Sequence, residues 1–201
     1  MLVKHNNNSI SDLTSAGQLP SDSLVLISSQ TASGSASISF TSGIDSTYPI
    51  YRFEFINIHP ATNNQEFRFQ GSTNGGSSYG VTITSTFFQT YHDEANTSTS
   101  LAYNTNRDLA QSTSYQPIAD TTGNGDDECA SGMLTLYNPS STTFVKHFMA
   151  VDNHYYNGTY SINDFSAGYF NTISSINAIQ FKFASGNIDS GTIKLYGIKG
   201  D

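Results

Sequence analysis

Residues 51–55 read Tyr51-Arg52-Phe53-Glu54-Phe55, and the fold turns on this stretch. Along an extended chain successive side chains point to opposite faces. Tyr51, Phe53 and Phe55 therefore share one face, and Arg52 and Glu54 share the other. The first face belongs in a core. The second reads as a wet surface on which Arg52 and Glu54 form an exposed ion pair.

The same period of two recurs outward in both directions. Phe67 and Phe69 alternate with Glu66 and Arg68, and Val81, Ile83 and Phe87 with Thr82, Thr84 and Thr86. Further on, Ile179, Phe181 and Phe183 alternate with Gln180, Lys182 and Ala184, and Ile193 and Leu195 with Thr192, Lys194 and Tyr196. Residues 24–28, 35–41, 132–137, 144–151 and 165–171 complete a set of about ten strands. Asn and Gly punctuate the gaps, as in Asn74-Gly75-Gly76 and Gly186-Asn187, where turns need residues that tolerate positive φ. No amphipathic helix pattern stands out. Antiparallel strands with one wet face must bury the other against a second sheet. The expected fold is all-β, an antiparallel β-sandwich of jelly-roll type with long polar loops.

Composition agrees. The 201 residues form a single-domain length, and 12 Tyr with 13 Phe supply the core. Charged residues make up 12%, about half of the ~25% usual for globular domains, and Ser, Thr, Asn and Gly take their place. The net charge of −8 argues against nucleic acid, whose phosphates demand a basic stripe. No apolar run approaches the ~18 residues of a membrane span, and residues 1–11 carry no signal-like apolar core. The expectation is a chain made in the cytoplasm, with no nucleic-acid and no membrane partner. Residues 1–22 read as an irregular N-terminal arm, and residues 23–201 as one sandwich domain.

Two long interruptions stand out, 93–131 and 153–164, against connections of about 4–6 residues elsewhere. Loops on a rigid scaffold are the usual carriers of contacts. The second interruption holds Tyr155, Tyr156 and Tyr160, whose rings are candidates for stacking on a glycan or a partner.

A search for chemistry returns little. The triplet His92-Asp93-Glu94 is a poor chelate, because neighbours on a strand face opposite ways. The acidic, Gly-rich segment 120–128, running from Asp120 to Glu128, has the oxygen content of a calcium loop but not the spacing of an EF-hand. Cys129, the single cysteine, can form no internal disulfide, and its acidic neighbours Asp127 and Glu128 should raise its thiol pKa. No nucleophile elbow, P-loop or dinucleotide motif occurs. The expectation is a protein without catalytic residues, metal or cofactor.

Several stretches together resemble virion structural proteins of tailed phages that infect marine cyanobacteria and related ocean bacteria. They are S-S-Q-T-A-S-G-S-A-S-I-S-F-T-S-G-I-D-S-T-Y (28–48), F-I-N-I-H-P-A-T (55–62), N-P-S-S-T-T-F-V-K-H-F (138–148), A-G-Y-F-N-T (167–172) and S-G-N-I-D-S-G-T-I-K-L-Y-G-I (185–198). The resemblance runs from about residue 23 to the end. It implies a component of the virion, and no catalytic residue comes with it. A single acidic β-rich domain without a shaft repeat fits a decoration or cement protein on the outer surface of the head, where its charge is kept from the packaged DNA. Its partners would be the major capsid protein and other virion subunits, and its own form a homo-oligomer, a trimer. The alternative is a tail fibre, knob or head-fibre component that binds a host-surface glycan.

Overall fold

The computed structural model describes residues 24–156 and 159–199, and the expected arm at 1–22 lies outside them. Twelve strands are present among the described residues: β1 (Leu24–Thr31), β2 (Ile38–Phe40), β3 (Ile50–Pro60), β4 (Gln65–Ser72), β5 (Ile83–Asp93), β6 (Thr99–Tyr103), β7 (Gln116–Thr122), β8 (Ala130–Tyr137), β9 (Lys146–Tyr156), β10 (Tyr160–Phe170), β11 (Ala178–Phe183) and β12 (Ile188–Ile198). No helix occurs among these residues. The chain is all-β, as the alternation requires, and its strands form two antiparallel sheets. One sheet has eight strands in the order β1-β12-β3-β8-β9-β10-β5-β6, and the other has four in the order β2-β11-β4-β7.

The pairing is nested. β1 pairs with β12, β2 with β11, β3 with β8 and β4 with β7. These eight strands alternate between the sheets and enclose the core. The other four, β9, β10, β5 and β6, all extend the larger sheet beyond β8 and form a flap.

The inward faces meet as the sequence demands. Tyr51, Phe53 and Phe55 of β3 are fully buried or nearly so. Phe53 and Phe55 join Phe40, Phe67, Phe69 and Phe181 in a web of ring contacts, while the Tyr51 ring meets Tyr48 edge-on. Edge-to-face pairs dominate it, the arrangement favoured by the ring quadrupole. Tyr51 keeps its polar tip satisfied, because its hydroxyl donates to the Asp45 carbonyl at 3.0 Å. On the outer face Arg52 and Glu54 do not form the expected ion pair. Tyr196 of β12 engages Glu54 instead, and Arg52 Nε has no partner.

The two expected loops are interrupted by strand. Segment 93–131 contains β6 and β7, and segment 153–164 includes the end of β9 and the start of β10, which pair with each other. The smaller sheet ends at β7, which carries Pro117 where an edge tolerates a missing N–H. β7 touches β9 and β10 of the flap and so closes the space between the two sheets there.

Candidate functional site

Alternation continues along β9 into the flap, so Lys146, Phe148, Ala150, Asp152 and His154 all point inward and are buried. Lys146 is satisfied by the carbonyls of Phe144 and Thr172, at 2.7 and 2.9 Å. Asp152 and His154 meet a third inward polar group. The register places Asp164 of β10 directly opposite Asp152, and Gln89 of β5 directly opposite Asp164. The flap interior is therefore polar where a sandwich would ordinarily be apolar.

The geometry is tight. His154 Nδ1 lies 2.9 Å from Asp152 Oδ2 and 3.9 Å from Asp164 Oδ2. Asp164 accepts from Gln89 Nε2 at 2.8 Å and from the backbone N–H of Asp120 at 2.7 Å. The three side chains are 0–3% exposed. Asp152 Oδ1 and His154 Nε2 have no hydrogen-bond partner. Gly132 of β8 stands beside Asp152, and a Cβ there would come within 2.3 Å of the Val151 carbonyl oxygen and 2.6 Å of the Asp152 Cα. Only glycine lets the strands approach this closely.

Burial governs the charges. It lifts the Asp164 carboxyl to about 7, helped by the neighbouring Asp152 charge. It also raises Asp152 well above the ordinary carboxylate range, and it lowers His154 against the pull of Asp164 and Asp120. Each shift disfavours the charged form in a low-dielectric interior. The Arg107 guanidinium is committed elsewhere. Arg107 holds Asp120 at 2.8 Å and Glu66 at 3.1 Å, and Glu66 in turn holds Arg68 at 2.5 Å.

A pocket of about 400 Å3 opens beside this cluster, lined by Gln89, Tyr91, Thr121, Tyr156, Tyr160 and Ile162. Tyr160 meets Tyr91 edge-on at 5.7 Å and Tyr156 at 6.2 Å. Two of the three tyrosines expected from the sequence thus share a site, joined by Tyr91. Tyr155 does not, because it is one residue out of phase on its strand, and its hydroxyl donates to Glu94 at 3.2 Å.

The outer face of the flap is the second feature. Cross-strand register aligns Met133, Val151, Phe165, Phe88 and Tyr103 in one row over five strands. Phe88 and Phe165 stack at 4.9 Å. Phe88 is 40% exposed, Tyr103 52% and Leu101 70%. A groove of about 480 Å3 is lined by Tyr137, His147, Met149 and Tyr169. Its floor passes over the small residues Ala167 and Thr86, which pair directly across β10 and β5. The row ends on β6, whose far edge has no strand neighbour among the described residues.

The other sequence candidates do not converge. His92 and Glu94 are exposed, while Asp93 is buried and caps its own turn through the N–H groups of Thr97 and Ser98, both at 2.8 Å. In the acidic segment Asp120 belongs to β7, Asp126 and Asp127 are exposed, and Glu128 folds back onto the Gly125 N–H at 2.7 Å. The Cys129 thiol is raised by burial, in the direction expected but by a different cause. Sequence reasoning missed the Asp152, His154 and Asp164 trio altogether. Compared with protein-family models, with curated proteins and with solved structures, the chain matches none.

Proposed function

We propose that this protein is a structural component of a phage virion, a decoration or cement protein on the outer surface of the head. The observation that carries the reading is the aligned row of apolar side chains on the outer face of the flap, ending on β6, whose far edge has no strand neighbour among the described residues. A soluble domain does not ordinarily display such a row together with an open strand edge, which invites pairing with another chain. The nested strand pairs support the same reading, since they follow the order of a jelly roll with two inserted hairpins, an architecture used by capsid domains. The net charge of −8 suits a place outside the packaged DNA. Binding only to the assembled shell would stabilise it by mass action, and many symmetric copies multiply a modest contact. The expected form is a homo-oligomer, a trimer, whose partner is the major capsid protein.

Immunogold labelling of intact particles is the test. Dense label over the head is expected, and label confined to the tail or its tip overturns the placement. A paired substitution probes the surface. Phe88→Asp combined with Leu101→Asp should weaken binding to undecorated shells by about tenfold or more, with the melting temperature falling by only a few degrees, because both side chains lie on the solvent face. Unchanged binding would remove the flap face from the interface.

One observation favours a second reading, host-glycan recognition by a fibre or knob component. Tyr91, Tyr156 and Tyr160 line a pocket that also offers the polar Gln89, and rings with a hydrogen-bonding neighbour are what a sugar face requires. On this reading Tyr160→Ala lowers glycan-array binding about tenfold or more, while Tyr155→Ala, on the opposite face, leaves it unchanged. Equal effects from the two would argue against the pocket.

A further inference from the structure

We propose that Asp152, His154 and Asp164 bind one divalent ion of the zinc type, which ties β9 to β10 beneath β7. The donor set is one imidazole nitrogen and two carboxylates, with all donor atoms within 4.8 Å of one another. The separations of 2.9 and 3.9 Å from His154 Nδ1 to the two carboxylates bracket the ~3.4 Å edge of a tetrahedron built on ~2.0–2.2 Å bonds. Seating an ion needs the Asp152 contact to open by only a few tenths of an ångström.

A second observation is independent of that spacing. Asp152 is 97% buried by its 3% exposure, and the Oδ1 atom of the carboxylate that faces the imidazole has no partner. A buried acceptor without a donor is costly. Asp152 and Asp164 also sit directly opposite one another across the β9–β10 pair, where like charges destabilise a sheet. Arg107 is committed to Asp120 and Glu66. A divalent cation answers both problems at once.

The surroundings fit a metal centre. All three donors stand on strands, which hold geometry better than loops. Asp164 is oriented from outside the trio by Gln89 and by the Asp120 N–H, the kind of outer support that ligating carboxylates have. The imidazole nitrogen selects against calcium and magnesium, which take oxygen ligands, and for zinc and its neighbours.

The test uses the untagged full chain expressed with added zinc and purified without chelator. About one metal ion per chain is expected by elemental analysis. Stripping it should lower the melting temperature by about 5–10 °C, and returning zinc should restore it. Asp152→Asn and Asp164→Asn should each abolish retention. If those variants fail to fold, cobalt loading of the wild-type chain gives the second readout, the visible absorption of a four-coordinate nitrogen–oxygen site. A wild-type chain that holds no metal, and whose melting is unmoved by zinc or chelator, overturns the proposal in favour of protons shared among the three groups. So does a stoichiometric ion that stays in the Asp152→Asn and Asp164→Asn chains, because it then sits elsewhere.

Discussion

Phe181→Ala should cost about 3–5 kcal/mol of unfolding free energy, the range for emptying a large aromatic site in a packed core. Phe181 is fully buried in β11, between β2 and β4. Its ring lies 5.1 Å from Phe53, 5.2 Å from Phe55, 5.9 Å from Phe67, 6.3 Å from Phe40 and 6.5 Å from Phe69. Those rings come from both sheets, so none can collapse into the void without dragging its own strand. Chemical denaturation reads the effect as a fall in midpoint with the slope unchanged. Phe88→Ala is the control. It removes an equal side chain from the solvent face, where the loss should stay near 1 kcal/mol. Similar losses at the two positions would mean that the rings around Phe181 are not one packed body.

Arg107→Met should cost about 2–4 kcal/mol, somewhat less than the ~3–5 kcal/mol for breaking a fully buried pair, because the Arg107 side chain is 23% exposed. Methionine keeps the stem and deletes the charge. It leaves Asp120 and Glu66, 10% and 13% exposed, facing each other's neighbourhood without the shared guanidinium. Arg107→Lys should recover only part of the loss, because an ammonium cannot hold two carboxylates in the fixed geometry of a planar fork. Adding Glu66→Gln to Arg107→Met should cost less than the two changes made singly, and a double-mutant cycle measures the difference. Strict additivity would show that the pair does not interact.

The core strands were legible because each has one dry and one wet face. Alternation at 51–55, 67–69 and 179–183 leads straight to β3, β4 and β11. β6 was hidden for the opposite reason, since nearly all of Thr99–Tyr103 is exposed and exposure on both faces leaves no period to read. β7 was hidden by burial on both faces and by Pro117. The flap hairpin did carry a signal that was passed over. Asn157-Gly158, set between Tyr155-Tyr156 and Thr159-Tyr160, is the strongest short hairpin turn pair. Read as a two-residue turn, it would set Asp152 opposite Asn163, whereas the observed register is one residue longer, with Tyr156 opposite Tyr160 and Asp152 opposite Asp164, and His154 two residues along on the same face. The trio follows only once that longer register is known. The contacts of Asp120 and Arg107 do not follow even then, because they depend on β7 crossing over the flap from the other sheet.

The nested pairing has a consequence for the order in which the protein can fold. Among the described residues β1 has one strand neighbour, β12, and β2 has one, β11. β1 and β2 must therefore wait for β11 and β12 to leave the ribosome. A nascent chain that has emerged only as far as Phe170 contains neither Phe181 nor the partners of β1 and β2. The β9–β10 hairpin can close locally within about 1–10 μs, but the sandwich cannot close around it until synthesis is nearly done. On ribosome-stalled chains carrying an added C-terminal linker, chaperone occupancy should accordingly stay high until the linker is long enough for β12 to clear the exit tunnel and then fall in one step, with no early plateau from an independently folded N-terminal half.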